Sequence, residues 1–356
     1  MNEQSIKIGG TSISSKSNTY FIADIAANWD GSLDRAKKLI ELCAKAGANA
    51  AKFQNFKAST IVSKYGFDNL GNVAHQAKWK KSVYEVYKDA SLPIEWTKEL
   101  KEVCAESGID YFTTPYDIDD VDILSKYVAA WKIGSGDITW HELVEKLSKD
   151  NKPLIIATGA SNFNEVEMAM QIAKKNNNNV VLMQCNTNYT GSIDNFKYIN
   201  LNVLNLYKQK FPNTILGLSD HTPGDTTVLG AVALGAKVIE KHFTDDNNRE
   251  GPDHQFSMTP STWKNMVLKT RELELALGYE NKKIEENEKE SVIVQRRAIR
   301  AFKDLSKDHV ISYDDLIVLR PISEKGLAPY KIQDVIGKKV KKNIVEGEEI
   351  NFENIE

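Results

Sequence analysis

The segment PLIIATGASNFNEVEMAMQIAKKNNNNVVLMQCN (153–186) contains the unit that decides the fold. It begins with an apolar run (153–159), continues through an amphipathic stretch (164–175) and ends with a second apolar run (180–186). Both runs are apolar throughout instead of alternating with polar residues, as is typical of parallel strands buried on both faces. An amphipathic helix between two such strands predicts a βαβ unit.

The same alternation of strand and helix extends over most of the chain, with further amphipathic stretches at 33–46 and 94–107. Eight βα units over about 260 residues predict an α/β fold, a (β/α)8 TIM barrel. A doubly wound sheet is the alternative, but no GxGxxG motif follows the first strand. The predicted strands are YFIADIA (20–26), ANAAKFQ (48–54), DYFTTPY (110–116), AAWKIGS (129–135), PLIIATG (153–159), VVLMQCN (180–186), TILGLSD (214–220) and AKVIEKHF (236–243).

Other segments flank the predicted barrel, which we place at 20–280. The N-terminal segment (1–19) contains SIKIGGTSIS, in which Gly-Gly is a turn signal between two short strands. We expect this hairpin to close the bottom of the barrel as a lid. The charged stretch 281–296 is interpreted as a linker, and short β-type runs in 297–356 predict a small, mainly β domain.

Composition and charge exclude several classes of protein. Of the 356 residues, 41% are hydrophobic and 27% are charged, which allows a sizeable core. The 46 Lys and Arg residues nearly balance the 49 Asp and Glu residues, which argues against a nucleic-acid or membrane-surface partner. The sequence has no transmembrane-length apolar run and no visible signal peptide, and its three dispersed cysteines suit a reducing compartment. We therefore expect a cytoplasmic protein.

Polar side chains lie at the carboxyl ends of all eight predicted strands, where barrels of this kind carry their active sites. Burying so many polar groups unpaired would be costly, so the joint pattern predicts an active site at the barrel mouth. These residues are Asp24, Asn28, Lys52, Gln54, Thr113, Thr114, Lys132, Ser135, Asp137, Thr158, Gln184, Asn186, Thr187, Tyr189, Ser219, Asp220, His221, Lys241 and His242.

One subset of these residues predicts an anion site. Lysine ammonium groups and hydroxyl donors together suit a multiply charged anion such as a phosphate. A single strand lysine has a simpler explanation, because it can extend its ammonium group to the rim. The candidate donors are Lys52, Lys132, Thr114, Ser135 and Ser219.

His221 and His242 end neighbouring strands, so two imidazoles could share one divalent ion whose other ligands are water or substrate oxygens. Two protein ligands without a third favour an open, catalytic metal site over a structural one. Surface or packing roles are expected for the other histidines, which are His75, His141, His254 and His309.

The motifs KIGSGD, GLSDHT and KHFTD follow one another along the chain. In these motifs the chain resembles the sialic acid synthase family, the phosphoenolpyruvate-dependent nonulosonic acid synthases. The resemblance covers 20–356, and its most specific motifs are KIGSGD, GLSDHT and KHFTD. The last domain is similar to the antifreeze-like SAF domain of these enzymes. The matching segments are FIADIAANWDGS, AAKFQNF, YFTTPYD, WKIGSGD, ATGAS, QCNTNYTG, GLSDHT, GAVALGAKVIEKHFTDDNNREGPDHQFSM and VLRP.

The resemblance implies condensation of phosphoenolpyruvate with the open-chain aldehyde of an N-acylated amino sugar, giving a nine-carbon 2-keto-3-deoxy acid and phosphate. A divalent metal, Mn²⁺ or Mg²⁺, would polarise the aldehyde oxygen. The resemblance also implies a domain-swapped homodimer in which the SAF domain caps the barrel of the other subunit. No nucleic acid and no membrane are expected as partners.

Matching positions assign roles to individual residues. The implied catalytic residues are Asp24, His221 and His242, of which the two histidines hold the metal. The implied phosphoenolpyruvate positions are Lys52, Thr114, Lys132, Ser135, Thr158, Asn186, Thr187 and Ser219. The implied acceptor-sugar positions are Gln54, Asp137, Tyr189, Asp253 and Arg320, the last reaching over from the other subunit. The choice between Asn186 and Thr187 stays open.

Several positions depart from the family pattern. Asp24 replaces a glutamate and is one methylene shorter, which changes its reach. Trp29 replaces a histidine, Asp137 replaces a glutamate that reads acceptor hydroxyls, and Ala157 removes a serine donor to phosphate. Ile322 replaces the glycine of RPG. We expect the reaction to be retained with an acceptor other than N-acetylmannosamine, such as a 2,4-diacetamido-trideoxy sugar.

Two alternatives stay open. One is a related phosphoenolpyruvate-condensing barrel with a different aldose acceptor, such as one that makes an eight-carbon keto sugar. The other is a degraded, non-catalytic sugar-binding homologue, which the changes at Asp24 and Ala157 would favour. The retained lysines and histidines argue against degradation, because a site without function should lose its costly buried charges first.

Overall fold

The computed structural model describes residues 4–70 and 79–356, so the prediction for His75 lies outside the described residues. The chain divides into two compact units, Met1–Gly278 and Tyr279–Glu356. The first unit contains the barrel and the second contains the C-terminal domain.

The first unit begins with an antiparallel hairpin of β1 (Ser5–Ile8) and β2 (Thr11–Ser14). Gly9 in its turn has a φ of +54°, a left-handed conformation that favours glycine. A Cβ atom at Gly9 would also collide with the carboxylate of Asp110. The apolar side chains of the hairpin are buried among residues that line the amino-terminal ends of the barrel strands. They therefore plug the lower end of the barrel.

The barrel consists of parallel strands that pair in chain order, with the last strand closing onto the first. Each strand overlaps one of the predicted apolar runs, so the predicted TIM barrel is confirmed. The strands are β3 (Tyr20–Asp24), β4 (Ala50–Asn55), β5 (Asp110–Pro115), β6 (Trp131–Ile133), β7 (Leu154–Ala157), β8 (Val180–Cys185), β9 (Ile215–Asp220) and β10 (Val238–His242).

Helices surround the strands, and the core lies between the two layers. The long helices carry the signals expected of them: Ser32 caps the first one, and Asn162 forms a capping box with Glu165. The helices of this unit are α1 (Leu33–Lys45), α2 (Ala58–Ile61), α3 (Lys64–Leu70), α4 (Val83–Asp89), α5 (Thr97–Glu106), α6 (Val121–Leu124), α7 (His141–Ser148), α8 (Phe163–Asn176), α9 (Val203–Lys210), α10 (Thr226–Ala233) and α11 (Pro260–Leu277). Within the described ranges, no helix combines the length and apolarity needed to cross a membrane.

The second unit is built on short strands, as the sequence predicts for a small β domain. It contains α12 (Lys289–Gln295), followed by β11 (Ala298–Ala301) and β12 (Leu316–Leu319), which pair antiparallel. Its own core gathers apolar residues from 299–355. The predicted β-type run KKNIVEGEEI (341–350) contributes isolated bridges in place of a strand.

Candidate active site

A cavity of about 250 Å³ lies at the carboxyl ends of the barrel strands. A larger groove of about 540 Å³ runs between α6 and α7 on the outside of the barrel, but its lysines and carboxylates are solvent-facing surface groups. The strand-end cavity is therefore the candidate site. It is lined by Asp24, Lys52, Gln54, Ile61, Tyr87, Thr114, Tyr116, Lys132, Gly134, Ser135, Gly136, Asp137, Ala157, Cys185, Thr187, Tyr189, Ser219, His221, Glu240 and His242.

Two lysines and two carboxylates form a buried ionic cluster in this cavity. The Lys52 Nζ atom lies 2.6 Å from Asp24 Oδ2, and the Lys132 Nζ atom lies 3.0 Å from Glu240 Oε1. The two pairs approach each other, since Lys52 Nζ is also 3.8 Å from Glu240 Oε1. Ser219 donates a hydrogen bond to the same Glu240 oxygen at 3.2 Å. Mutual pairing is what allows four charges to be buried in one place.

The pKa values of the two carboxylates in the cluster shift in opposite directions. Burial raises the pKa of Asp24, and its close contact with Lys52 offsets this rise in part. Burial would also raise the pKa of Glu240, but Lys132 and Lys52 outweigh it and hold this pKa below its ordinary value. The remaining oxygen of Glu240, Oε2, is buried without a hydrogen-bond partner among the described residues. The cluster therefore has an acceptor that is ready for an incoming group.

The His221 and His242 rings are neighbours, with centroids 5.4 Å apart. The Nδ1 atom of His221 lies 3.0 Å from the carbonyl oxygen of Asn186, which can only accept, so this nitrogen carries a proton and, in the neutral ring, Nε2 has a free lone pair. The Nε2 atom of His242 lies 3.6 Å from Asp24 Oδ2, and its Nδ1 atom has no hydrogen-bond partner in the described part of the chain. Two imidazoles are thus brought together beside a carboxylate.

These two residues fit a divalent metal as an open pair of ligands. Burial lowers the pKa of His242 well below its ordinary value, which favours the neutral ring that metals bind. Burial also lowers the pKa of His221, but the hydrogen bond and charge interaction with Cys185 outweigh burial and raise this pKa above its ordinary value, so metal binding would compete with a proton here. Residues 4–70 and 79–356 contain no group of three or more His, Cys, Asp or Glu side chains that could hold a metal. Water or substrate oxygens would complete the coordination.

A side pocket of about 160 Å³ adjoins the cavity and shares part of its wall. Burial raises the pKa of Asp253 in this pocket to about 6, and the carboxylate accepts a hydrogen bond from the Ala27 backbone N–H at 3.1 Å. Burial likewise raises the pKa of Asp137, in the main cavity, to about 6. The residues that line the side pocket but not the main cavity are Ala27, Phe56, Trp79, Val86, Ala90, Pro252 and Asp253.

Comparison with known families agrees with this architecture. Residues 39–282 match the NeuB family, and residues 296–356 match the SAF domain. The chain belongs to the NeuB family. The family expected from the sequence motifs is thereby confirmed, as is the SAF domain at the C-terminus.

Relatives of this NeuB-family chain include named synthases. The N,N'-diacetyllegionaminic acid synthase of Legionella pneumophila is 36% identical over 357 residues, 98% of each chain. The enzyme of the same name from Campylobacter jejuni is 35% identical over 337 residues, 93% of this chain and 98% of that one. A crystal structure of the N-acetylneuraminic acid synthetase of Leptospira borgpetersenii, in complex with citrate, is 28% identical with a TM-score of 0.71, covering 82% of this chain and 95% of that one.

Most of the predicted site residues of this NeuB-family chain line one cavity, and Asp253 lines the adjoining side pocket. Thr187 lines the cavity, whereas Asn186 uses its side-chain amide to bond the Tyr198 carbonyl at 3.3 Å. The geometry therefore favours Thr187 over Asn186 as the residue that faces a bound anion. Arg320 follows β12 in the second unit and is exposed, and its role remains a prediction.

Thr158 needs a correction. Its hydroxyl donates to the Met183 carbonyl at 2.9 Å and contacts the Tyr207 hydroxyl at 3.0 Å, and it is not among the cavity-lining residues. Side chains alternate along a strand, and Ala157 faces the cavity, so the next side chain points toward the helices. Thr158 therefore stabilises the packing of α9 and does not offer a hydroxyl to a bound anion.

The histidine and tryptophan near the mouth have packing roles. His254 is fully buried, with Nε2 2.8 Å from Asp30 Oδ1 and Nδ1 2.7 Å from Thr244 Oγ1. This agrees with the packing role that was expected for it. Trp29, at a departure from the family pattern, is buried and packs edge-on against Trp96 with ring centroids 5.5 Å apart. Trp29 lies in the turn between β3 and α1 and is not among the residues that line the cavity.

The sequence patterns missed several lining residues. Glu240 was overlooked although its signal was present: His242 faces the cavity, so the side chain two positions earlier on the same strand must face it as well. Cys185 was missed in the same way. Ile61 and Tyr87 come from the connection between β4 and α5, whose short helices α2, α3 and α4 have little apolar periodicity.

Proposed function

We propose that this NeuB-family enzyme is a nonulosonic acid synthase. It would condense phosphoenolpyruvate with an N-acylated amino sugar and release phosphate and a nine-carbon 2-keto-3-deoxy acid. The observation that carries the proposal is the meeting of two buried lysines with two adjacent imidazoles in one cavity. Such a cavity suits an anion at one end and a metal-bound oxygen ligand at the other.

Phosphoenolpyruvate would bind at the lysine end. Lys52 and Lys132 are each held by a carboxylate, and hydroxyl donors surround them, including Thr114, whose Oγ1 atom is 3.4 Å from Lys52 Nζ. The Ser135 hydroxyl accepts the Gly159 backbone N–H at 3.0 Å, which orients it at the cavity wall. Charge-assisted hydrogen bonds from these groups to phosphate and carboxylate oxygens would hold the substrate.

The acceptor sugar would bind at the histidine end. His221 and His242 would hold Mn²⁺ or Mg²⁺, which when bound supplies Lewis-acid polarisation of the acceptor's aldehyde oxygen. The new bond then forms between C3 of phosphoenolpyruvate and the aldehyde carbon, positive charge develops at C2, water adds there, and the bond from C2 to the phosphate oxygen breaks.

Asp24 is the residue of this chain best placed to move protons in the reaction. Its Oδ2 atom lies between Lys52 Nζ, at 2.6 Å, and His242 Nε2, at 3.6 Å, so it stands at the border of the two proposed subsites. Gln54 donates to the same oxygen at 3.3 Å and fixes its orientation. In this proposal Asp24 accepts the proton of the water that adds at C2.

The acceptor is proposed to be a 2,4-diacetamido-trideoxy sugar. Two relatives that are at least 35% identical are named N,N'-diacetyllegionaminic acid synthases, which supports a doubly acylated acceptor. The side pocket offers Phe56, Ile61 and Val86 as apolar walls for methyl groups. A degraded homologue is not favoured, because the lysines and histidines are all present in the cavity.

The quaternary structure is also a proposal. We infer a swapped homodimer in which the SAF domain of one subunit caps the barrel of the other and presents Arg320 to the N-acyl group of the acceptor. The support is the match of residues 296–356 to the SAF domain together with the family motifs around Arg320.

The deciding experiment measures phosphate release from phosphoenolpyruvate with Mn²⁺ against a panel of acceptor sugars. The panel contains N-acetylmannosamine, a 2,4-diacetamido-2,4,6-trideoxyhexose and aldoses without nitrogen. Release with an N-acylated sugar supports the synthase, and the preferred sugar identifies the acceptor. Release with a nitrogen-free aldose would support the related condensing enzyme instead. Failure to bind either phosphoenolpyruvate or Mn²⁺ would overturn the proposal.

A further inference from the structure

Asp220 and Lys241 form a buried ion pair that the proposed chemistry does not use. Lys241 Nζ contacts Asp220 Oδ2 directly and also donates to the Thr222 carbonyl at 2.6 Å. Both side chains are about 1% exposed. Neither lines the cavity, because along β9 and β10 the neighbouring positions Ser219, His221, Glu240 and His242 face inward.

Hydroxyl groups on the helix side complete the surroundings of Asp220. The Thr227 hydroxyl, in the first turn of α10, donates to Asp220 Oδ2 at 2.7 Å. The Thr222 hydroxyl donates to Oδ1 at 3.0 Å, and its backbone N–H does so at 3.3 Å. The carboxylate is thereby fixed to β10, to α10 and to the turn after β9.

This pair joins the two strands immediately beside the two histidines. Lys241 is the strand partner of Asp220, and each of them directly precedes a proposed metal ligand, His242 and His221 respectively. The covalent chain between each charged residue and its histidine is a single peptide link. The side-chain contact therefore joins the two strand positions that directly precede the imidazoles.

The energetics of a buried ion pair also favour a positioning role over a purely stabilising one. A buried ion pair often contributes no more to stability than well-packed apolar side chains would, because the desolvation of both charges offsets their attraction. Residues behind metal ligands, in contrast, commonly orient the ligands and are costly to change. The location of this pair, next to both histidines, fits the second role.

We propose that Asp220 and Lys241 are positioning residues that set the spacing of His221 and His242 for one divalent ion. The inference rests on the proposed metal site. Asp220, Lys241 and the Thr227 hydroxyl act as one unit, so loss of any member should loosen the histidine pair, with the loss of a charge costing more than the loss of the hydroxyl.

The test is Mn²⁺ affinity, measured by titration of the full-length protein with Mn²⁺ alone and detection of free ion by electron paramagnetic resonance. We expect Lys241→Met and Asp220→Asn to weaken Mn²⁺ binding about 10- to 100-fold, the usual effect of changing a residue behind a metal ligand. Thr227→Val keeps both charges and should give a smaller loss. Lys241→Arg, which retains the charge, should restore part of the affinity lost in Lys241→Met.

A matched control separates positioning from general stability. Tyr20→Phe removes a partly buried 2.6 Å hydrogen bond to Asp110 at the opposite end of the barrel, so it should lower the melting temperature without changing Mn²⁺ affinity. Unchanged Mn²⁺ affinity in Lys241→Met or Asp220→Asn overturns the inference. If both of these variants fail to fold, an unchanged affinity in folded Thr227→Val overturns it. Failure of the wild-type protein to bind Mn²⁺ would instead refute the metal site itself.

Discussion

The Lys132 ammonium group lies 3.0 Å from the Glu240 carboxylate, and the two side chains are only 3% and 5% exposed. With Lys52 and Asp24 they make a buried cluster in which two positive and two negative charges balance. An anionic substrate that enters must compete with the carboxylates for the same ammonium groups. Without substrate, the carboxylates fix the positions of the lysine ammonium groups.

Lys132→Met should chiefly weaken the binding of phosphoenolpyruvate. The lost hydrogen bond to a charged group is worth about 1.5–3 kcal/mol, so KM for phosphoenolpyruvate should rise about 10- to 100-fold. Steady-state phosphate release measures this change. Lys149→Met, at an exposed lysine paired with Glu145 on α7, is the control and should behave as wild type. An unchanged KM in Lys132→Met would remove this lysine from the anion site.

His242→Ala should abolish turnover and Mn²⁺ binding, because it removes one of the two proposed protein ligands. The matched control is His254→Ala, which removes a buried imidazole with two hydrogen bonds outside the cavity. That variant should unfold at a lower temperature and still bind Mn²⁺, since unmade buried hydrogen bonds cost about 1–3 kcal/mol each. Calorimetry and Mn²⁺ titration distinguish the two. Full activity in His242→Ala would contradict the metal assignment.

The acceptor KM should depend on pH through Asp137, whose pKa is raised to about 6 by burial. Above pH 6 the carboxylate can accept hydrogen bonds from sugar hydroxyls, and below pH 6 it becomes protonated, so KM should rise as pH falls from 7 to 5. Asp137→Asn should reduce this rise in the acceptor KM at low pH. Asp253, whose pKa is also raised to about 6, should account for the rise that is left. A wild-type profile that the substitution leaves unchanged would exclude Asp137 from acceptor binding.

The same raised pKa fixes the sign of the stability effect of Asp137. Because the folded state holds the proton more tightly than the unfolded state, this carboxyl group stabilises the fold most below its unfolded pKa. That contribution is lost as pH rises through about 6. The free energy of unfolding of Asp137→Asn, measured in urea, should therefore fall less than that of the wild type between pH 4 and 7.

Ile13→Ala should destabilise the barrel without changing kcat or KM for phosphate release, because the hairpin lies at the end opposite the cavity. Ile13 is fully buried in the cluster that the hairpin forms with the lower barrel strands. Truncation of a buried isoleucine costs about 2–5 kcal/mol, which urea unfolding would register. The matched control is Ile193→Ala, at a residue that is 77% exposed, where little change is expected. An equal loss of stability in both variants would show that the hairpin is not part of the core.

A swapped dimer predicts complementation between two inactive variants. Subunits with Arg320→Ala and subunits with Asp24→Ala should regain activity when unfolded together and refolded, because one mixed site then contains an intact Asp24 and an intact Arg320. Each variant refolded alone is the control. Absence of rescue in heterodimers that are shown to have formed would contradict the swap.

The strands could be predicted because each is an apolar run with turn or polar residues at its ends. The sequence also indicates which strand side chains face the cavity, because side chains alternate between the two faces of a strand. Nearness to a strand end does not take this alternation into account. Nearness to a strand end therefore predicts an inward Lys241, overlooks Glu240 and gives Thr158 a role that its orientation does not allow.

The sequence patterns do not predict the residues at the rim of the cavity. Ile61 and Tyr87 lie on helices of four and seven residues that lack a buried face of helical period. Such helices are positioned by tertiary contacts, as Tyr87 is by Phe56, with ring centroids 5.4 Å apart. Local propensity and periodicity do not encode contacts of this kind.

The hairpin plugs the lower end of the barrel, and the cavity lies at the opposite end, where the strands finish. The lysines lie deep in it, whereas Ile61 and Tyr87 stand at its partly exposed rim. If phosphoenolpyruvate occupies the lysine end, it has to arrive before the sugar, because a sugar at the rim blocks the way behind it. The products would leave in the opposite order, with the long keto acid released first and phosphate last.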